Sequence, residues 1–119
     1  MSILFVEYPK CTTCRKAKKW LQEKGIDFID RDIKEDNPSK EELKKWLEMS
    51  DLPIKKFFNT SGMLYREKGM KDKINTLSEE ELLDILSEDG MMVKRPIVVK
   101  DDRVLVGFKE ETFEEALLK

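Results

Sequence analysis

The chain has 119 residues, enough for a single domain with one real core. Apolar residues make up 39% and charged residues 40%; that balance would suit a disordered chain, but the apolar positions recur at strand and helix periods, which excludes it. Lysine and arginine number 23 against 25 acidic residues, with the signs interspersed, so there is no one-sided basic face for nucleic acid, and histidine is absent, so Ser–His and Cys–His pairs and imidazole metal ligands are excluded.

Ile3 to Tyr8 reads as a buried strand. Its apolar run meets Glu7 too soon for a signal peptide or a membrane helix, so a cytoplasmic protein without membrane contact is expected. Pro9 to Thr13 is a polar loop, and from Cys14 a helix places Ala17, Trp20 and Leu21 on one face before Gly25 ends it. Ile26 to Ile33 reads as a second strand centred on Phe28 and Ile29. Asp36-Asn37-Pro38 is a turn, and Ser39 with Glu42 forms a capping box for a helix carrying Leu43, Trp46 and Leu47. Leu52-Pro53-Ile54 breaks that pattern, Asn59 to Gly62 is a loop, and Met63 to Lys73 has no clear period.

Ser78 and Glu81 make a second capping box, opening a helix with Leu82, Ile85 and Leu86 inward and closing near Gly90. Arg95-Pro96 precedes a strand over Ile97 to Val99, Asp101-Asp102 turns the chain into Val104 to Val106, and Gly107-Phe108 leads to a last helix with Phe113, Ala116 and Leu117 on one side. The order is β-α-β, several helices, then β-β-α. It fits one domain over residues 1–119 with a helical insertion at about 36–92.

Cys11-Thr12-Thr13-Cys14 follows a strand and opens a helix. In a cytosolic protein this context makes a cysteine pair read as redox-active. A thiolate at a helix N-terminus meets unpaired backbone N–H groups and the positive end of the helix dipole, which lower its pKa, and the thiolate is the nucleophile. Lys10, Arg15 and Lys16 add positive charge nearby. A second thiol three positions on can attack a mixed disulfide and release the partner. The alternatives are two small buried hydrophobes, or half of a zinc site completed by a second copy of the chain. Beside such a pair, Arg95-Pro96-Ile97 suggests a cis-proline loop against the reactive sulfur, with Arg95 directed at the thiolate or a bound anion; a strand-entry proline and a solvated arginine are the plainer reading.

The ordered set Tyr8 to Ala17, Asn59-Thr60-Ser61-Gly62, Arg95-Pro96-Ile97 and Gly107-Phe108 resembles the arsenate reductase-like family, which includes the Spx-type redox regulators of transcription. The resemblance implies an α/β fold: a thioredoxin-like (glutaredoxin-like) mixed four-stranded sheet with a helical insertion. It implies Cys11 as nucleophile, a cis-proline at Pro96 beside it, and an oxyanion held by arginines, of which Arg95 matches one; apart from the resemblance, the amides of the loop through Thr12 and Thr13 at the helix start, with Arg15, offer donors to an anion or thiol substrate. Glutathione, glutaredoxin or thioredoxin would be the electron donor, with no bound cofactor or metal, and the protein would act as a monomer. Two of the family's anion-holding arginines have no counterpart here, one falling near Lys55 or Lys56 and the other near Phe108. Cys14 matches the Spx-type pattern rather than the glutaredoxin-linked reductases. Two classes follow: a thiol-dependent reductase, or a redox-sensing regulator that docks on the RNA polymerase α subunit. The segment Leu52 to Gly62 lacks the glycine-containing contact expected of the second, which favours the first.

Overall fold

The structure is a computed structural model and describes residues 3–118. Four strands, β1 (Ile3–Glu7), β2 (Ile29–Asp32), β3 (Ile97–Lys100) and β4 (Arg103–Val106), form one sheet in the order β2-β1-β3-β4. β1 runs parallel to β2 and antiparallel to β3, and β3 and β4 form a hairpin. A parallel pair needs a crossover, which helix α1 (Thr12–Glu23) supplies. The hairpin turn is Asp101-Asp102, with Asp101 in the left-handed region at φ 52°. This β-α-β and β-β-α arrangement is the thioredoxin-like fold in its glutaredoxin-like form, and it needs both ends of the chain to complete one sheet.

The chain divides into two compact units. The first runs through Asp32 and resumes at Arg95; the second is Ile33–Lys94. In the first, β1 alternates, so Ile3 and Phe5 point to one face, where they bury against Ala17, Trp20 and Leu21 of α1, Val98 of β3 and Phe113 of α6 (Glu110–Leu117). Aromatic rings meet edge to face in this core, Trp20 on Phe113 at 5.6 Å and Phe5 on Phe28 at 5.3 Å.

The second unit holds α2 (Lys40–Ser50), α3 (Met63–Glu67), α4 (Met70–Lys73) and α5 (Glu79–Glu88), with 3-10 turns at Ile54–Phe57 and Gly90–Met92. Both expected capping boxes form, Ser39 with Glu42 and Ser78 with Glu81. α2 and α5 lie together, bridged at the surface where Lys40 meets Glu80 at 3.0 Å and Asp84 at 2.9 Å. Exposed pairs of this kind contribute about 1 kcal/mol at most, so the apolar faces carry the association.

Several boundaries differ from the sequence reading. α1 begins at Thr12, not Cys14, with Cys11 as its N-cap. β2 is four residues rather than Ile26 to Ile33: Leu4 pairs with Ile29 and Glu7 with Asp32, and the ladder stops at Asp32 because β1 ends at Glu7. Ile26 and Phe28 instead pack on the core as the approach to the strand, and Ile29 is exposed. Met63 to Lys73 resolves into two short helices around Gly69. α5 buries Leu83 with Leu82 and Leu86, in place of Ile85. Gly90 does not close α5 as a left-handed cap. It permits a close approach: a Cβ there would lie 1.8 Å from the Ile33 carbonyl oxygen.

The glycines therefore differ in cost. Gly25→Ala meets open space and suffers only from its φ of 68°, a penalty of about 1 kcal/mol. Gly90→Ala must displace backbone, so its loss should reach about 3 kcal/mol, the upper end for overpacking. Urea unfolding of the two variants checks the order.

Candidate functional site

The site grows from the end of β1. Past Glu7 the chain turns at Pro9-Lys10, closed by the Cys11 amide donating to the Tyr8 carbonyl at 2.9 Å. Cys11, in extended conformation, then enters α1 as its N-cap, and the Arg15 amide donates to its carbonyl at 3.0 Å. Helical geometry puts Cys14 at the third position of the first turn, on the inward face with Ala17 and Leu21. The two cysteines thus have different surroundings: Cys11 is half-buried at the helix mouth, and Cys14 is fully buried beneath it. The Tyr8 amide donates to Cys14 Sγ at 3.5 Å, tying the helix to the strand end.

β3 completes the site. Val6 pairs with Ile97, so the residues before Ile97 run back beside the end of β1. The Arg95–Pro96 peptide is cis, and the Arg95 guanidinium carbon lies 5.2 Å from the Tyr8 ring centroid, a cation–π distance. Arg95 is close enough to Cys11 to act on its thiol by charge and by hydrogen bonding. Pro96 uses its carbonyl to accept from the Gly107 amide at 2.8 Å, fastening the loop to the end of the hairpin.

These surroundings drive the two thiols apart in acidity. Burial alone pushes the Cys11 thiol up, but the Cys14 amide, the Cys14 thiol and the Arg95 guanidinium outweigh it, and the net shift is below the ordinary thiol range. Cys14 is pushed up to about 12, first by burial and then by the Cys11 and Glu7 charges, against the pull of the Tyr8 amide. The sequence reading attributed the Cys11 shift partly to Lys10, Arg15 and Lys16. The operative cation is Arg95, brought in from 84 positions along the chain by strand pairing.

The other expected site residues divide. Thr12 and Thr13 are exposed at the first two positions of α1, where their amides have no partner within the helix. Arg15 is exposed and its Nε donates to the Pro9 carbonyl at 2.8 Å, so it braces the loop. Phe108 is partly buried and packs against the core, edge-on to Phe113 at 4.8 Å. Lys55 and Lys56 are exposed on the first 3-10 turn of the second unit. Among the described residues, no three His, Cys, Asp or Glu side chains gather where they could hold a metal ion, and no helix is long and apolar enough to cross a membrane.

Sequence reasoning missed Glu7. Its side chain is only 3% exposed, and it is the one charged residue buried among those described. The signal was present: Glu7 stands two positions after Phe5, on the face of β1 that the apolar alternation assigns to the core. Lys18 Nζ lies 3.8 Å from Glu7 Oε2 and 2.7 Å from Asp30 Oδ2. Burial, then the hydrogen bond and charge of Asp30, raise Glu7 from 4.5 to about 7, while Lys18 opposes them.

Residues 6–116 match the ArsC family. The chain belongs to that family. It is 56% identical to the uncharacterised protein YusI of Bacillus subtilis over 97% of this chain and 98% of YusI. It is 33% identical to the global transcriptional regulator Spx of Lactiplantibacillus plantarum, over 93% of this chain and 82% of that one. The crystal structure of an ArsC family related protein from Bacteroides fragilis superposes with a TM-score of 0.94 at 52% identity, covering 97% of both chains. This ArsC-family chain thus shares its fold with an ArsC family related protein, and it is similar over most of its length to a transcriptional regulator.

Two measurements test the site. In the Cys14→Ser variant, Cys11 should be alkylated at neutral pH at least about tenfold faster than Cys14 in the Cys11→Ser variant. Arg95→Ala should move the Cys11 titration to higher pH. Stability should also depend on Glu7. A carboxyl whose folded pKa is raised binds its proton more tightly in the native state, so its contribution is full below 4.5 and is lost as pH rises through about 7. Urea stability should therefore fall between pH 5 and 7.5 by up to about 3 kcal/mol, and Glu7→Gln should flatten that fall.

Proposed function

We propose that this ArsC-family protein is a thiol–disulfide oxidoreductase with Cys11 as nucleophile and Cys14 as resolving thiol. The observation that carries the reading is the unequal placement of the two thiols at the start of α1: Cys11 half-buried at the N-cap and Cys14 fully buried in the first turn, surroundings that favour the Cys11 thiolate and keep Cys14 a thiol. The Cys11 thiolate attacks one sulfur of a disulfide substrate, forms a mixed disulfide and expels the other sulfur as thiolate. Cys14 then loses its proton to solvent and attacks Cys11 Sγ. This forms the Cys11–Cys14 disulfide and expels the remaining substrate sulfur, so two electrons pass from the pair to the substrate. An external thiol reductant, glutathione, glutaredoxin or thioredoxin, restores the dithiol. Such chemistry belongs in a reducing compartment, and we place the protein in the cytoplasm as a monomer.

An oxyanion can approach the same nucleophile through the first amides of α1 and Arg95. Arsenate turnover should nonetheless be poor. Arg15 is tied to Pro9 and Phe108 packs against the core, so Arg95 carries the guanidinium contact beside Cys11. The 33% identity to Spx supports a second reading, a redox-dependent regulator that binds the RNA polymerase α subunit.

Titration of the reduced protein in glutathione buffers, read by mass, decides between them. A reversible intramolecular Cys11–Cys14 disulfide is expected, together with catalysed reduction of a model disulfide and no complex with the α subunit in either state. Absence of the intramolecular bond would overturn the reading, and an oxidation-sensitive polymerase complex would install the regulator in its place.

A further inference from the structure

Beyond the last rung of the β1–β3 ladder, the same register brings together two side chains that the strands themselves do not include. The antiparallel pairing runs from Ile3 opposite Lys100 to Val6 opposite Ile97. Two residues further along each segment it sets Tyr8 opposite Arg95. The backbone ladder stops short of them, and Pro96, the next residue outward from Ile97, has no N–H to extend it. The pairing continues through side chains instead: the Arg95 guanidinium carbon lies 5.2 Å from the Tyr8 ring centroid. Facing positions of an antiparallel pair are neighbours on one side of the sheet, so a ring and a cation placed there can stack. Both residues are half-buried, and a cation over a ring gains more where water is partly excluded.

Tyr8 is also fixed at its backbone. Its carbonyl accepts from the Cys11 amide at 2.9 Å, and its amide donates to Cys14 Sγ at 3.5 Å. The ring that carries Arg95 therefore stands on the residue that closes the turn into Cys11. The other arginine of this loop is engaged differently: Arg15 Nε donates to the Pro9 carbonyl at 2.8 Å. We propose that Tyr8 is a positioning residue whose ring face holds the Arg95 guanidinium on the loop that presents Cys11. The inference rests on Cys11 being the nucleophile and adds to that reading the group that keeps its cation in place. Burial works against the Cys11 thiolate, while the Cys14 amide and thiol and the Arg95 guanidinium work for it. Of these helpers only Arg95 brings a full charge on a long flexible stem, whose many rotamers the ring restricts.

Alkylation of the reduced protein by iodoacetamide reads the effect. The Cys11 thiolate displaces iodide and forms a thioether, and the rate against pH, with the site assigned by peptide mass, gives the Cys11 titration. Tyr8→Leu removes the ring and should move that titration up by about half a pH unit, the size of a cation–π contact expressed as acidity. Tyr8→Phe keeps the ring and should titrate with the unsubstituted protein. In an Arg95→Met background, Tyr8→Leu should add no further shift, since the ring acts through the guanidinium. Phenylalanines with one, two and three ring fluorines, placed at position 8, keep the ring's shape while withdrawing negative charge from its face. The Cys11 titration should climb stepwise along that series, which tests the contact without requiring Tyr8→Leu to fold. A merely structural role for the ring would give neither the fluorine series nor the dependence on Arg95.

An acidified Cys11 whose titration stays unmoved along the fluorine series would overturn this inference while leaving the oxidoreductase reading intact. A shift in Tyr8→Phe equal to that in Tyr8→Leu would also overturn it, by assigning the effect to the hydroxyl. So would an undiminished Tyr8→Leu shift in the Arg95→Met background. A Cys11 that titrates as an ordinary thiol in the unsubstituted protein would remove the functional reading and this inference with it.

Discussion

The seating of the first turn of α1 on the end of β1 is the contact from which the rest of the site follows. Tyr8 has to place its amide against Cys14 Sγ while Ala17, Trp20 and Leu21 settle over Ile3 and Phe5. Those apolar contacts fix the rotation of the helix about its axis, and that rotation decides which cysteine goes in. A turn of 100° per residue carries Cys14 roughly 300° around from Cys11, and the N-cap position leaves Cys11 outside the regular helix altogether. The asymmetry of the pair is thus a by-product of core packing.

Charge then acts on an arrangement already set by packing. Cys11 gains from the positive end of α1 and from Arg95, while Cys14, three residues away, is denied water and sits above a carboxylate. Both thiols would have similar acidity in the unfolded chain. The same strand order that brings Arg95 to one side of the loop brings Asp30 and Asp32 to the other side of Glu7, so the site has a cationic rim and an acidic floor. Sheet topology sets this polarity, whereas the local composition around the cysteines, with Lys10, Arg15 and Lys16, would have placed positive charge on every side.

Phe108 shows how a position expected from the family resemblance to serve a site is used otherwise here. In sequence it fills a position where an anion-binding arginine is expected; in the fold it completes an aromatic stack with Phe113 over the same core that seats α1. The second unit has its own logic, two capped helices whose apolar stripes meet and a Gly90 backbone pressed to the Ile33 carbonyl.

The sequence by itself determined the elements whose signals are local. The two capping boxes, the Asp101-Asp102 hairpin, the strand before Cys11 and the helix after it all rest on neighbours within a few residues, and all appear in the fold. The cysteine pair was legible for the same reason. Tertiary structure decided what depends on distant partners. β2 stops at Asp32 because β1 stops at Glu7, α5 buries Leu83 rather than Ile85, and Gly90 is constrained by a carbonyl 57 positions away. Arg95 acts on Cys11 only because β3 pairs with β1. Glu7 carried a readable hint in the strand alternation. Its proton affinity, however, depends on Asp30 and Lys18, which only the parallel ladder and the helix above it bring into reach, because electrostatic energy depends on separation in space and not along the chain.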